Sequence, residues 1–136
     1  MFLCCGYSAL VRLDLGDKFK TKNVVRMNGM FNNCGVQNLT SLELGNYFDT
    51  SNVTDMEYMF SSMGKMKLTS LDLGDKFDTK KVTNMYKMFE ITGYVAMISL
   101  DLGPAFTNIP EGIITEHWSG RDVQANGEMF SNTGKS

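Results

Sequence analysis

The pair Met-Phe occurs at Met1-Phe2, Met30-Phe31, Met59-Phe60 and Met88-Phe89, each 29 residues after the last, and returns at Met129-Phe130 after a gap of 41. A fixed period constrains the fold before any local pattern does. A unit this short cannot bury its own apolar side and must stack on its neighbours. Other positions keep the same register: Leu10, Leu39, Leu68 and Met97; Leu13, Leu42, Leu71 and Leu100; Leu15, Leu44, Leu73 and Leu102; Phe19, Phe48, Phe77 and Phe106. Val24, Val53 and Val82 precede Met27, Met56 and Met85, and two glycines per repeat mark turns. Residues 30–58 and 59–87 agree at 15 of 29 positions.

The register divides residues 1–136 into one repeat domain with coils 1–29, 30–58, 59–87 and 88–128 and a partial coil 129–136. The fourth coil carries an insertion at about 105–128, of which Glu111–Arg121 matches no repeat position. Neither end shows a polar cap, so the chain reads as a fragment of a longer array. Within a coil, Leu39-x-x-Leu42-x-Leu44 predicts a short strand with Leu42 and Leu44 on one face and Glu43 on the other. Val53, Met56, Met59 and Phe60, at i, i+3, i+6 and i+7, predict one or two turns of α- or 3₁₀-helix, with Asp49, Thr50, Ser51 and Asn52 as turn and capping residues before it. The expected fold is a leucine-rich-repeat-like solenoid: one short strand plus a short α/3₁₀ segment per coil, with a parallel sheet on one face. The methionine columns are read as core filler, because a flexible thioether fits irregular gaps.

The motif L-T-S-L-D-L-G followed by F-D-T-x-x-V-T-x-M-x-x-M-F, fullest from Leu68 to Phe89, resembles the BspA-like bacterial surface repeats, which also occur in mycoplasma-type lipoproteins as a domain of unknown function. The resemblance covers about three complete repeats. It implies a leucine-rich-repeat-like array on a secreted or wall-anchored bacterial protein, often tied to adhesion, with no shared catalytic residues. Two features depart from the pattern. An extra pair such as Asp75-Lys76 lies between strand and phenylalanine, and the insertion follows Pro104.

Three groups of residues are candidates for function. Asp14, Glu43, Asp72 and Asp101 occupy one position in successive strands, so stacking makes a carboxylate ladder. Such a strip could receive a basic partner or a divalent cation, or be a solvated face whose like charges tolerate each other. Cys5 and Cys34 are equivalent in adjacent coils, within reach of a cross-coil disulfide or stacked as buried thiols beside Met63 and Thr92. In the insertion, His117, Trp118 and Arg121 suit an interface anchor, while Trp118 with Ile113 and Ile114 equally suits a patch over the core.

The remaining classes are disfavoured. A formal net charge of −2 with mixed signs gives no footprint for nucleic acid or an anionic membrane. The three cysteines include no C-x-x-C pair, and with a single histidine no zinc site follows. No apolar run reaches the roughly 18 residues of a membrane span, and the apolar start lacks a basic n-region. There is no nucleophile at a recognisable spacing from His117, no phosphate loop and no asymmetric carboxylate pair. The expected function is therefore a surface recognition module, non-catalytic and without cofactor, that binds a host or matrix protein or a glycan. A spacer projecting another domain is the alternative, and an intracellular scaffold is a third.

Overall fold

The computed structural model describes residues 2–108. The insertion candidates His117, Trp118 and Arg121, and the partial coil from Met129, lie outside the described residues. Four three-residue strands appear: β1 (Arg12–Asp14), β2 (Ser41–Glu43), β3 (Ser70–Asp72) and β4 (Ser99–Asp101). β1 pairs with β2 in parallel, Leu13 against Leu42, and β3 pairs with β4 in the same way, Leu71 against Leu100. A period of 29 thus fixes the register of every pair. Each strand is a central leucine turned inward between two polar residues, ended by a glycine at positive φ.

The expected helical segment is absent: no α- or 3₁₀-helix occurs among the described residues. Residues 53–66 instead run through successive turns in which backbone donors alternate between two kinds of partner. The N–H groups of Met59, Ser61 and Met63 donate to Met56, Tyr58 and Phe60, three residues back in the same coil. Those of Met56, Tyr58, Phe60 and Ser62 donate to Asn84, Tyr86, Met88 and Glu90 of the next coil, at 2.7–2.9 Å. Left-handed φ values at Tyr58 and Ser62, 52° and 57°, swing the chain between the two directions. A helix would close its N–H groups internally and leave only side chains to join the coils. The apolar spacing was read with the right face and the wrong backbone: Val53, Met56, Met59, Phe60 and Met63 are all fully buried.

The core is built from columns of like residues. One phenylalanine ladder runs through Phe2, Phe31, Phe60 and Phe89, with ring centroids 5.5, 5.4 and 5.3 Å apart and planes within 6°. A second runs through Phe19, Phe48, Phe77 and Phe106 at 6.2–6.5 Å. Tilted contacts such as Phe60–Phe77, at 6.0 Å, join the two ladders. Offset stacking of this kind adds to the burial of large rings. In the first coil Phe2, Leu10, Leu13, Leu15 and Phe19 are only partly buried, because no described coil lies before them.

A buried threonine column escaped the sequence reading. Thr21, Thr50 and Thr79 are almost wholly inaccessible. The Thr21 hydroxyl donates to the Asp49 carbonyl at 2.8 Å and accepts from the Asp49 N–H at 2.7 Å, and the Thr50 hydroxyl donates to the Asp78 carbonyl at 2.8 Å. Burying these hydroxyls is tolerable because each is satisfied across the coil boundary.

The sheet is not continuous. β2 and β3 are not hydrogen-bonded neighbours, so the four strands form two two-stranded sheets where a single parallel sheet was expected. The second and third coils are held together elsewhere, by the turn bonds above and by the parallel bridge between Asp55 and Asn84. Where the strands part, a cleft of about 380 Å³ opens between Asn46 and the Asp72–Lys76 turn, and the Lys76 ammonium crosses it to the Asn46 carbonyl at 2.7 Å.

Candidate binding surfaces

The carboxylate ladder resolves into local structure. Asp14, Asp72 and Asp101 each accept the N–H of the glycine two residues on, Gly16, Gly74 and Gly103, at 2.8, 2.8 and 2.9 Å. The side chain ends the strand by folding over its own turn, which aspartate does and longer acids do poorly. Glu43, one methylene longer, makes a different contact: the Arg12 guanidinium reaches it at 2.8 Å across β1 and β2. That pair is more than half exposed on both sides and contributes little to stability. The ladder therefore exists in position, with its carboxylates already engaged. Among the described residues no three acidic, histidine or cysteine side chains converge as a metal-ligand set.

Cys5 and Cys34 come together as the register requires. The Gly35 N–H donates to the Cys5 carbonyl at 2.9 Å. Both are free thiols, Cys34 buried and Cys5 half-buried, while Cys4 is exposed. Burial pushes the Cys34 thiol up to about 12, and the neighbouring Cys5 adds to the rise.

The exposed apolar side chains are unevenly placed. Tyr7, Val11, Met66, Val95 and Ile98 all fall between the first glycine of a repeat and its strand, a stretch that may be called the shoulder. Met66 and Val95 are equivalent positions of adjacent coils, as are Val11 and Ile98 at the two ends of their column. Two of them, Tyr7 and Met66, line a groove of about 410 Å³ to which Gln37, Asn38, Lys65 and Lys67 supply polar groups. On another side the half-exposed Tyr47 ring lies under the ammonium groups of Lys20 and Lys76, at 5.4 and 5.6 Å. Neither feature was singled out from the sequence. The signal was there in Met66 and Val95, apolar at a position that is Ser8 and Gln37 in the first two repeats.

Short parallel strands paired at a 29-residue register, with matched core columns and, among the described residues, no helix, define a repeat protein joined through its backbone from coil to coil. The family described as "Mycoplasma protein of unknown function, DUF285" matches residues 6–98, and the chain belongs to it. No curated protein matches the chain, and no solved structure does. Among the described residues no helix is long and apolar enough to cross a membrane.

Proposed function

We propose that this chain is a leucine-rich-repeat-like solenoid of the BspA-like type, displayed on the surface of a bacterial cell, that binds a protein or glycan partner without catalysis. The observation that carries this reading is the shoulder. Among the described residues, five of the nine exposed large apolar ones lie in one stretch of the repeat, with exposures from 45% for Met66 to 71% for Ile98. Single exposed apolar residues are ordinary, whereas a cluster beside a groove with polar groups is the usual make-up of a recognition surface. The stacked coils supply a rigid base for it. The carboxylate ladder gives less support, since its members serve their own turns and the Arg12 pair.

Binding to arrays of matrix proteins and glycans tests the reading. Wild type should bind a discrete set of targets. Tyr7→Ser with Met66→Ser should lose that binding while the circular dichroism spectrum and unfolding midpoint stay the same. Absence of binding to any target, or binding untouched by the double variant, favours a spacer that projects another domain.

A further inference from the structure

We propose that Cys5 and Cys34 are a disulfide-forming pair that covalently clips the first coil to the second when the protein meets an oxidant. The placement comes from the repeat itself. The two residues occupy one position of adjacent coils, and the backbone bond from the Gly35 N–H to the Cys5 carbonyl, at 2.9 Å, holds the two coils together beside them. The neighbouring pair Phe2 and Phe31 stacks at 5.5 Å in the same two coils, and a disulfide needs Cα atoms about 4.4–6.8 Å apart. Packing does not demand cysteine at this position, because the same column continues with Met63 and Thr92, both fully buried. Among the described coils the thiol pair falls at the junction of residues 1–29 and 30–58. A covalent link there restrains the two coils in the unfolded chain.

The chemistry needs a two-electron oxidant, for which a small disulfide such as oxidised glutathione suffices. The half-buried Cys5, as thiolate, attacks one sulfur of that disulfide, forms a mixed disulfide and expels one glutathione thiolate. Cys34, having lost its proton to solvent or buffer, then attacks the Cys5 sulfur and expels the second. Two protein thiols and one small disulfide thus become one protein disulfide and two small thiols. Because burial holds the Cys34 proton tightly, closure should accelerate as pH rises from 7 to 9. The proposal is independent of what the shoulder binds.

The test incubates the full chain with oxidised glutathione at pH 8.5, followed by mass measurement, non-reducing peptide mapping and thermal unfolding, beside Cys4→Ser, Cys5→Ser and Cys34→Ser. Wild type and Cys4→Ser should each lose two hydrogens, yield a linked peptide containing Cys5 and Cys34, and gain on the order of 10 °C in unfolding midpoint from closing a loop of about 30 residues. The Cys5→Ser and Cys34→Ser proteins should gain nothing. If Cys34→Ser does not fold, Cys5→Ser at the half-buried site carries the same comparison. A link through Cys4, an intermolecular link, a glutathione adduct that never closes, or a Cys5–Cys34 link that fails to raise the midpoint would each overturn the proposal.

Discussion

Replacing Phe60 with alanine probes the joint between coils where it is strongest. The ring is fully buried, stacked on Phe31 at 5.4 Å and on Phe89 at 5.3 Å, and tilted against Phe77 at 6.0 Å. Deleting a buried phenylalanine to alanine costs about 3–5 kcal/mol in lost transfer energy and cavity. Losing two stacked contacts adds about 1 kcal/mol more, since such pairs contribute roughly 0.5–1.5 kcal/mol each and overlap in part with burial. The expected loss is about 4–6 kcal/mol, a large share of the roughly 5–15 kcal/mol that holds a domain together. Phe2 is the internal comparison. It belongs to the same ladder, has one stacked neighbour and is only partly buried, so Phe2→Ala should cost about 1–2 kcal/mol. Urea unfolding followed by circular dichroism gives both values from the midpoint and slope. Phe60→Leu, at about 1–2 kcal/mol, keeps the comparison open if the alanine protein does not fold. Equal losses for Phe60→Ala and Phe2→Ala would refute the reasoning, because stability would not then follow the number of coil faces a residue joins.

Thr50→Val removes a buried hydroxyl that donates to Asp78 at 2.8 Å while keeping the shape, and should cost about 1–2 kcal/mol in the same unfolding assay. Gly45 and Gly74 both have positive φ, 77° and 73°, but a methyl at Gly45 would run into the Gly16 carbonyl whereas one at Gly74 meets nothing within 4 Å. Gly74→Ala should therefore cost about 1 kcal/mol from backbone strain, and Gly45→Ala about 2 kcal/mol more from overpacking. The Asp49 carboxyl is held below its ordinary value by hydrogen bonds from Ser51, first from its hydroxyl and then from its N–H. The stability this confers is complete above the ordinary carboxylate range and is lost as pH falls through the lowered folded-state value. Carbon-detected NMR titration of Ser51→Ala should show the Asp49 midpoint moving up toward the ordinary value; an unmoved midpoint would remove Ser51 as the cause.

The period and the side-chain columns could be read from the sequence because they depend only on identity at fixed spacing. Leu13 with Leu42 and Leu71 with Leu100 pair as the 29-residue register requires, and the column methionines Met27, Met30, Met56, Met59, Met85 and Met88 lie in the core. The backbone between them could not be read in the same way. Val53, Met56, Met59, Phe60 and Met63 fit a helical face, and the same spacing serves a run of turns that buries one side. What decides between them is where the N–H groups go, and those bonds cross to residues 28 positions away, beyond any local window. Left-handed residues would have been the clue, but Tyr58 and Ser62 carry no residue-type signal for it, unlike glycine. The carboxylate positions were legible in the same way as the columns, while their local role was not: Asp14, Asp72 and Asp101 each close on the glycine two residues on, a bond visible in the repeated Asp-Leu-Gly triplet. The shoulder was missed because it is made by departures from the repeat, and alignment by register draws attention to what stays the same.

Direct NMR detection of scalar coupling across backbone hydrogen bonds tests the central claim, that each coil is bonded through its turns to the coil 28 to 30 residues away. The amide nitrogens of Gly29, Phe31 and Asn33 should correlate with the carbonyl carbons of Glu57, Met59 and Ser61, and those of Tyr58, Phe60 and Ser62 with Tyr86, Met88 and Glu90. Correlations to carbonyls four residues earlier would mean helices in these segments, and coils held together by side chains alone.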